Sequence, residues 1–160
     1  MKKIIQNLDE YVLMAMLSAS TLLIFFQVIM RYIFKDSLSW SEELARYMYV
    51  WQTWIASSYA VKMGRHLRIT SMVDKAKGRT RVWFELLVIA LWFGFSVFLC
   101  FKAAELCHMI FEQEQTSPAM NIPMWLAYMA VPTGTALMAA RLVQQFAANL
   151  AKLKTAGQAE

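Results

Sequence analysis

The sequence predicts an all-α integral membrane protein with four transmembrane helices, short in-plane amphipathic helices, and both termini in the cytoplasm. Of the 160 residues, 59% are hydrophobic, and the mean hydropathy of +0.40 is too high for a soluble domain of this length. Long uncharged runs recur at lengths suited to a hydrocarbon core of about 30 Å. Basic residues gather in connections that alternate with an acidic one, as expected when successive connections lie on opposite sides of a membrane.

The spans are expected at about residues 11–33, 42–62, 83–108 and 122–142, in a single membrane domain. The chain starts with Met1-Lys2-Lys3, which is also how a secretory signal peptide can begin. The run from Tyr11 to Met30 is twenty residues without a charge, longer than the apolar region of a signal peptide. It is therefore predicted to remain in the membrane as the first span. Residues 2–8 are predicted to form a short amphipathic turn on the surface.

A charged and aromatic segment at residues 37–47 leads into the second span. Ser39 followed by Glu42 is the pattern of a capping box, which predicts that a helix begins at Trp40. In this helix Glu42 and Arg46 lie one turn apart and can form a local ion pair. Because an uncharged run follows Arg46 directly, the guanidinium lies at or just below the membrane surface and needs a partner.

The uncharged part of the second span, residues 47–61, covers only about 22 Å at the usual helical rise. This short span favours shielding by protein over contact with lipid alone. Trp51 and Trp54 lie near mid-membrane, where packing against another helix is the better interpretation. The small residues at 56–58 and 60 give the same helix a face for close helix contact.

The connection at residues 62–81 carries seven basic side chains and one acidic one, Asp74, so it is predicted to be cytoplasmic. Apolar residues at 69, 72, 73 and 76 recur at helical spacing, which predicts an in-plane helix that Gly78 ends. His66 lies in this basic loop. Its imidazole can contact a lipid phosphate or a carboxylate of a partner, or can simply be solvated at the interface.

The third span is followed by an acidic connection at residues 112–118, which is expected outside. Lys102 can pair with Glu105 one turn along the helix, or extend to the surface. Pro132 is predicted to break the middle of the fourth span, because proline removes an internal hydrogen bond. Arg141 marks the inner boundary, and a cytoplasmic tail at 143–160 is predicted to continue as an amphipathic helix as far as Lys154 and to be disordered beyond Thr155.

Enzyme chemistry is not indicated, since the chain has two histidines and no Gly-rich phosphate loop, HExxH or CxxC motif. No catalytic, metal-binding or cofactor-binding residue is predicted, and nucleic acid is not expected as a partner, because the basic residues gather at membrane edges. Cys100 and Cys107 are about 10 Å apart along one helix, too far for a disulfide. His66 and His108 fall on opposite sides of the membrane, which disfavours a haem held between two helices in a redox subunit.

An independent small four-helix transporter or channel remains an alternative. Such proteins keep ionisable residues inside the membrane, whereas none of the four spans has one near its centre. The predicted break at Pro132 is a single one, while discontinuous-helix sites use paired breaks in two repeats. A structural subunit of a larger membrane complex fits these features better.

Three motifs carry a family resemblance. They are Arg31-Tyr32-Ile33-Phe34, then Ser39-Trp40-Ser41-Glu42-Glu43-Leu44-Ala45-Arg46-Tyr47 with Trp51 in the next turn, and His66-Leu67-Arg68-Ile69 after the second span. Together with Pro132 and the four-span length, they resemble the small membrane (Q-type) subunit of tripartite ATP-independent periplasmic (TRAP) transporters. The resemblance covers nearly the whole chain.

The resemblance implies a bacterial inner membrane system of three parts. A periplasmic substrate-binding protein captures an organic acid, such as a C4-dicarboxylate or sialic acid. A large elevator-type membrane subunit carries the acid inward with sodium, and the small subunit braces the stationary part of the large one. The substrate and sodium sites are implied in the large subunit, so no cofactor is expected in this chain.

The resemblance also suggests an interface with the large subunit or with membrane lipids. The hypothesis assigns this role to Trp40, Glu42, Glu43, Arg46, Trp51, Trp54 and His66. For Arg46, a local pair with Glu42, a contact with lipid headgroups and a contact with the large subunit all remain open.

Overall fold

The computed structural model describes the backbone of residues 8–63 and 79–156. In these ranges the regular elements are helices: α1 Leu8–Tyr32, α2 Ser39–Lys62, α3 Arg79–Glu112, the short α4 Trp125–Tyr128, and α5 Ala130–Ala156. His66, the in-plane helix predicted at 69–76 and the surface turn predicted before α1 lie outside the described residues.

Three segments of the described chain are long and apolar enough to cross a membrane: Leu8–Tyr32, Phe84–Glu112 and Trp125–Leu150. They correspond to the first, third and fourth predicted spans. The helix α2 has 24 residues, so its length of about 36 Å would also suffice. Its polar side chains make it less apolar than the other three.

The long helices form an open row in the order α1, α2, α5, α3. The helix α1 packs on α2, α2 packs on α5, and α5 packs on α3, while the backbones of the described parts of α1 and α3 do not approach each other. The best buried apolar cluster lies where three helices meet, and contains Val61, Met138 and Leu142, with Ile89 and Trp92 against it. Each helix at the end of the row therefore has one neighbour.

The helix α1 turns one narrow stripe toward α2. The stripe contains the buried Ser20 and the half-buried Leu13, Met16, Leu23, Gln27 and Met30. Their spacing of three and four residues keeps them on one side of a helix. Most of the remaining surface of α1 is apolar and exposed, as at Leu22 and Phe25, which is the expected surface of a helix in lipid.

The predicted capping box at the start of α2 is wrong. The helix begins at Ser39, and the N-cap residue is Leu38, whose side chain forms no capping hydrogen bond. The hydroxyl of Ser41 donates instead to the Leu38 carbonyl at 2.7 Å. Glu42 does not fold back toward Ser39, because its carboxylate lies 3.8 Å from the Arg31 guanidinium of α1.

The predicted break in the middle of the fourth span is also wrong. The interruption is at Met129, between α4 and α5, and α5 then runs without a break from Ala130 to Ala156. Pro132 is the cause, because it has no N–H for the carbonyl of Tyr128 four residues earlier. The hydroxyl of Thr133 donates to the next carbonyl, that of Met129, at 2.6 Å, and the backbone N–H of Thr133 reaches the same oxygen.

Several local predictions are confirmed. Lys102 pairs with Glu105 at 2.8 Å, and Cys100 and Cys107 are free thiols. The amphipathic continuation of the fourth span is helical as far as Ala156, the last residue described.

Candidate functional site

One stripe of residues along α2 faces α4, α5 and the loop that precedes α4. Its members are Glu43, Tyr47, Trp51, Trp54, Ser58 and Val61. At 100° per residue these positions fall within a sector of about 80°. The stripe runs along the whole helix, and polar side chains at its N-terminal part bind the loop between α3 and α4.

Glu43 anchors that loop. The residue is buried, and its Oε2 accepts hydrogen bonds from the backbone N–H groups of Ala119 at 3.0 Å and Met120 at 3.2 Å. The hydroxyl of Tyr47, one turn along α2, donates to the other carboxylate oxygen. A carboxylate that accepts several N–H and O–H donors makes strong, charge-assisted hydrogen bonds. Glu43 therefore fixes the loop to α2.

The loop itself is closed by backbone hydrogen bonds. The N–H of Ser117 donates to the Ile122 carbonyl at 2.9 Å, and Thr116 and Pro123 form an isolated β-bridge. Asn121 adopts a φ of 53°, a left-handed conformation that asparagine tolerates well. This compact turn directs two N–H groups at Glu43 and leaves Pro118 exposed.

Two tryptophans extend the contact toward the membrane interior. The indole N–H of Trp51 donates to the Leu126 carbonyl of α4 at 3.2 Å. Trp54 lies against Gly134 of α5, so closely that a Cβ on Gly134 would be 2.6 Å from the Trp54 Cβ. Glycine is required at this crossing because any side chain would push α2 and α5 apart. Both tryptophans pack on other helices, as the helix-packing interpretation predicts.

At the other end of the stripe, Val61 joins the apolar cluster, and its carbonyl accepts the side-chain amide of Gln145. The hydroxyl of Ser58 is fully buried and has no hydrogen-bond partner among the described residues. The apolar contact between α2 and α5 at this end is thus accompanied by a hydrogen bond between the two helices.

Charged side chains of α1, α2 and α5 meet at the ends of these helices that lie opposite the α3–α4 loop. Asp9 of α1 accepts hydrogen bonds from Arg141 of α5 at 2.6 Å and from Lys62 of α2 at 3.1 Å. Nearby, the hydroxyl of Tyr59 donates to Glu10 at 3.3 Å. Arg141 is the best buried of the three charges, with 13% of its side chain exposed.

Sequence reasoning missed both the Asp9 cluster and the Glu43 anchor. Asp9 precedes the uncharged run of the first predicted span and Arg141 follows that of the fourth, so the two lie at the same end of their helices. This common depth was the available signal, but which helices are neighbours decides whether the two side chains meet. No comparable signal distinguishes Glu43 from Glu42 in the sequence.

The other predicted interface residues lie elsewhere. Trp40, Glu42 and Arg46 are exposed, and Glu42 pairs with Arg31 rather than with Arg46. No described carboxylate forms an ion pair with Arg46, so the local pair expected for it is absent from this part of the chain. The described residues contain no group of three potential metal ligands. The arrangement around Glu43, Trp51 and Trp54 holds a loop and two helices against α2.

Comparison with known proteins gives a consistent result. The family model described as "Tripartite ATP-independent periplasmic transporters, DctQ component" matches residues 20–152. The C4-dicarboxylate TRAP transporter small permease protein DctQ of Rhodobacter capsulatus is 30% identical over 108 residues, 68% of this chain and 48% of the relative. The protein of the same name in Vibrio cholerae is 26% identical over 160 residues, 86% of this chain and 69% of that relative.

A longer relative also matches. The isethionate TRAP transporter permease protein DctMQ of Oleidesulfovibrio alaskensis is 27% identical over 150 residues, which are 90% of this chain and 24% of the relative. The chain therefore spans about half of the first relative and about a quarter of this one.

The family match runs from within α1 to within α5, so it includes the α2 stripe and the loop that Glu43 anchors. A permease family and three apolar helices make this chain a multi-pass protein of the bacterial inner membrane. The chain belongs to the family of DctQ components of tripartite ATP-independent periplasmic transporters.

Proposed function

We propose that this chain is the small, non-substrate-binding membrane subunit of a TRAP transporter. It braces the stationary scaffold of a large elevator-type subunit during sodium-coupled uptake of an organic acid. The acid is a C4-dicarboxylate, sialic acid or a similar carboxylate, delivered by a periplasmic binding protein. Sodium and substrate bind in the large subunit.

The open row of helices is the observation that carries this proposal. A pathway through a protein needs walls on all sides, whereas the described helices lie side by side and the backbones of α1 and α3 do not approach each other. Each of the three apolar helices also overlaps a long run without Asp, Glu, Lys, Arg or His, at residues 11–30, 86–101 and 123–140. An independent transporter would keep such residues to bind and release its cargo.

A brace must resist deformation, and contacts at both ends of the long helices support that role. Glu43 and Trp51 hold the α3–α4 loop and α4 to α2, and Asp9 joins α1 to α5 through Arg141. The longer DctMQ relative supports a permanent membrane partner, since about three quarters of that permease protein lie outside the matched segment.

The proposed topology has four crossings, with α2 as the second, and both termini inside. The helix directions support it. The start of α1 meets the end of α2 at Asp9 and Lys62, so the first two helices run in opposite directions. The contacts of Trp51 with Leu126 and of Val61 with Gln145 show that α2 and α5 run in the same direction, as the second and fourth crossings should.

Lys62 lies at the Asp9 end and begins the connection at 62–81, whose sequence carries seven basic residues, whereas Glu112 and Glu114 lie at the Glu43 end. By the positive-inside rule the Asp9 end faces the cytoplasm and the Glu43 end the periplasm.

Co-purification tests the proposal. The tagged chain is extracted from its native membranes in mild detergent, and the proteins that remain bound are identified by mass spectrometry. A much larger polytopic protein in stoichiometric amount is expected. Recovery of the chain alone, together with solute flux when it is placed in liposomes, would overturn the proposal in favour of an independent transporter.

A further inference from the structure

The side of α2 that faces neither α1 nor α5 forms a distinct surface, which we call the open stripe. It consists of the exposed residues Arg46, Tyr49 and Thr53, continued by the half-buried Ala56 and Ala60. At 100° per residue the three exposed positions fall within a sector of about 60°. The open stripe is therefore a continuous band along the helix.

Its composition differs from that of a surface that faces lipid. The open side of α1 presents large apolar side chains, such as Leu22 with 68% and Phe25 with 63% exposed. The open stripe instead presents an arginine, a tyrosine, a threonine and alanines. In a membrane, small residues of this kind permit close approach of a second helix.

Arg46 gives the open stripe a positive charge that no described carboxylate pairs with. It lies about 10 Å along α2 from Ser39, at the usual rise per residue, and its side chain is exposed. The nearest acidic residues in sequence are engaged elsewhere, Glu42 with Arg31 and Glu43 with the loop. A charge at this depth is normally paired, and lipid chains offer no counterion.

The threonine and serine hydroxyls on this side of α2 are already hydrogen-bonded. Thr53 donates to the Tyr49 carbonyl at 2.8 Å, and Ser57 donates to the Thr53 carbonyl at 2.9 Å. Both bonds lie within α2. The part of the open stripe around Thr53 and Ala56 therefore has no unsatisfied serine or threonine hydroxyl, and an apolar helix can pack against it.

We propose that the open stripe is the docking surface for a transmembrane helix of the large subunit, and that a carboxylate of that helix pairs with Arg46. This inference rests on the proposed function and adds the location of the contact. The apolar open side of α1, by contrast, faces lipid. Charge complementarity at Arg46 and the small residues below it select a helix of the partner rather than acyl chains.

Site-specific photo-crosslinking in the assembled transporter tests this location. The photoreactive amino acid p-benzoylphenylalanine replaces Thr53 in one variant and Thr21 of α1 in the other. Thr21 is a matched control, because it is also exposed and its hydroxyl also donates to the carbonyl four residues earlier, at 2.8 Å. Irradiation is done in native membranes, and adducts of the tagged chain are identified by mass spectrometry.

An adduct with the large subunit from position 53 and none from position 21 is the expected result. Loss of co-purification confined to the position 53 variant supports the same surface, since the probe then blocks docking. Adducts from position 21 alone or equal adducts from both positions would overturn the inference, as would an adduct of position 53 with a second copy of the chain. Absence of adducts from both positions, while both variants still co-purify with the large subunit, would overturn it as well. If the wild-type chain retains no large partner, the proposed function itself fails.

Discussion

Glu43 Oε2 accepts the backbone N–H of Ala119 at 3.0 Å, across 76 positions of sequence. The bond joins the start of α2 to the loop between α3 and α4, and the N–H of Met120 reaches the same oxygen. One side chain thus sets the shape of the surface that the molecule presents at this end.

Replacing Glu43 should release the loop. In Glu43→Ala the amides of Ala119 and Met120 lose a charged acceptor, and we expect their hydrogen exchange to accelerate about tenfold or more. Hydrogen–deuterium exchange with mass spectrometry measures this directly. Glu42→Ala is the control, since Glu42 is exposed and bonds to neither amide. Equal acceleration in both variants would show that Glu43 has no special hold on the loop.

The close contact between Gly134 and Trp54 predicts a steric effect. In Gly134→Ala the new Cβ would lie 2.6 Å from the Trp54 Cβ, so α2 and α5 must move apart. We expect a loss of about 1–3 kcal/mol in stability, measured by unfolding in mixed micelles. In the control, Gly94→Ala, the added methyl meets nothing within 4 Å, and stability should hold or rise. A stable Gly134→Ala protein would contradict the observed helix spacing.

Trp51 should stabilise the contact between α2 and α4 through its indole N–H. Trp51→Phe keeps an aromatic ring but removes the hydrogen bond to Leu126, and we expect stability to fall by about 0.5–1.5 kcal/mol. Trp40→Phe is the matched substitution at an exposed position on the same helix. Thermal unfolding in detergent measures both, and an equal effect would mean that the bond to Leu126 contributes nothing.

The pair of Asp9 and Arg141 should matter more than an exposed pair. Arg141→Met leaves Asp9 with Lys62 alone and removes the tie between α1 and α5, so we expect a loss of about 1.5–3 kcal/mol. Lys102→Met removes a pair that is more than half exposed on a single helix and should cost at most about 0.5 kcal/mol. Unfolding in mixed micelles compares the two, and equal losses would exclude a special role for Asp9.

Arg46 should affect assembly rather than folding of the chain. With its partner on the large subunit, Arg46→Ala is expected to lower the yield of co-purified large subunit about tenfold or more, as removal of one member of a shielded charge pair does. Arg31→Ala is the control, since Arg31 is also exposed near the same end and lies 3.8 Å from Glu42. Wild-type uptake and wild-type yield of complex in Arg46→Ala would refute a shielded contact.

Hydropathy alone predicted α1, α3 and the fourth span, because an uncharged run of this length has few other stable states. Local spacing predicted that Lys102 can pair with Glu105 and that Cys100 and Cys107 form no disulfide. Both predictions succeeded because each depends on one helix only. The capping box failed although its sequence pattern is correct. Its glutamate had a competing partner, Arg31, on another helix.

The sequence by itself determined that this chain is a helical membrane protein and, through its motifs, to which family it belongs. Tertiary structure alone decided that Glu43 faces a loop 76 positions away while Glu42 faces outward, and that Asp9 meets Arg141. Both outcomes depend on which helices are neighbours and on how far each is rotated about its axis. Adjacent residues on a helix point about 100° apart, so two glutamates that follow each other in sequence can have unrelated surroundings.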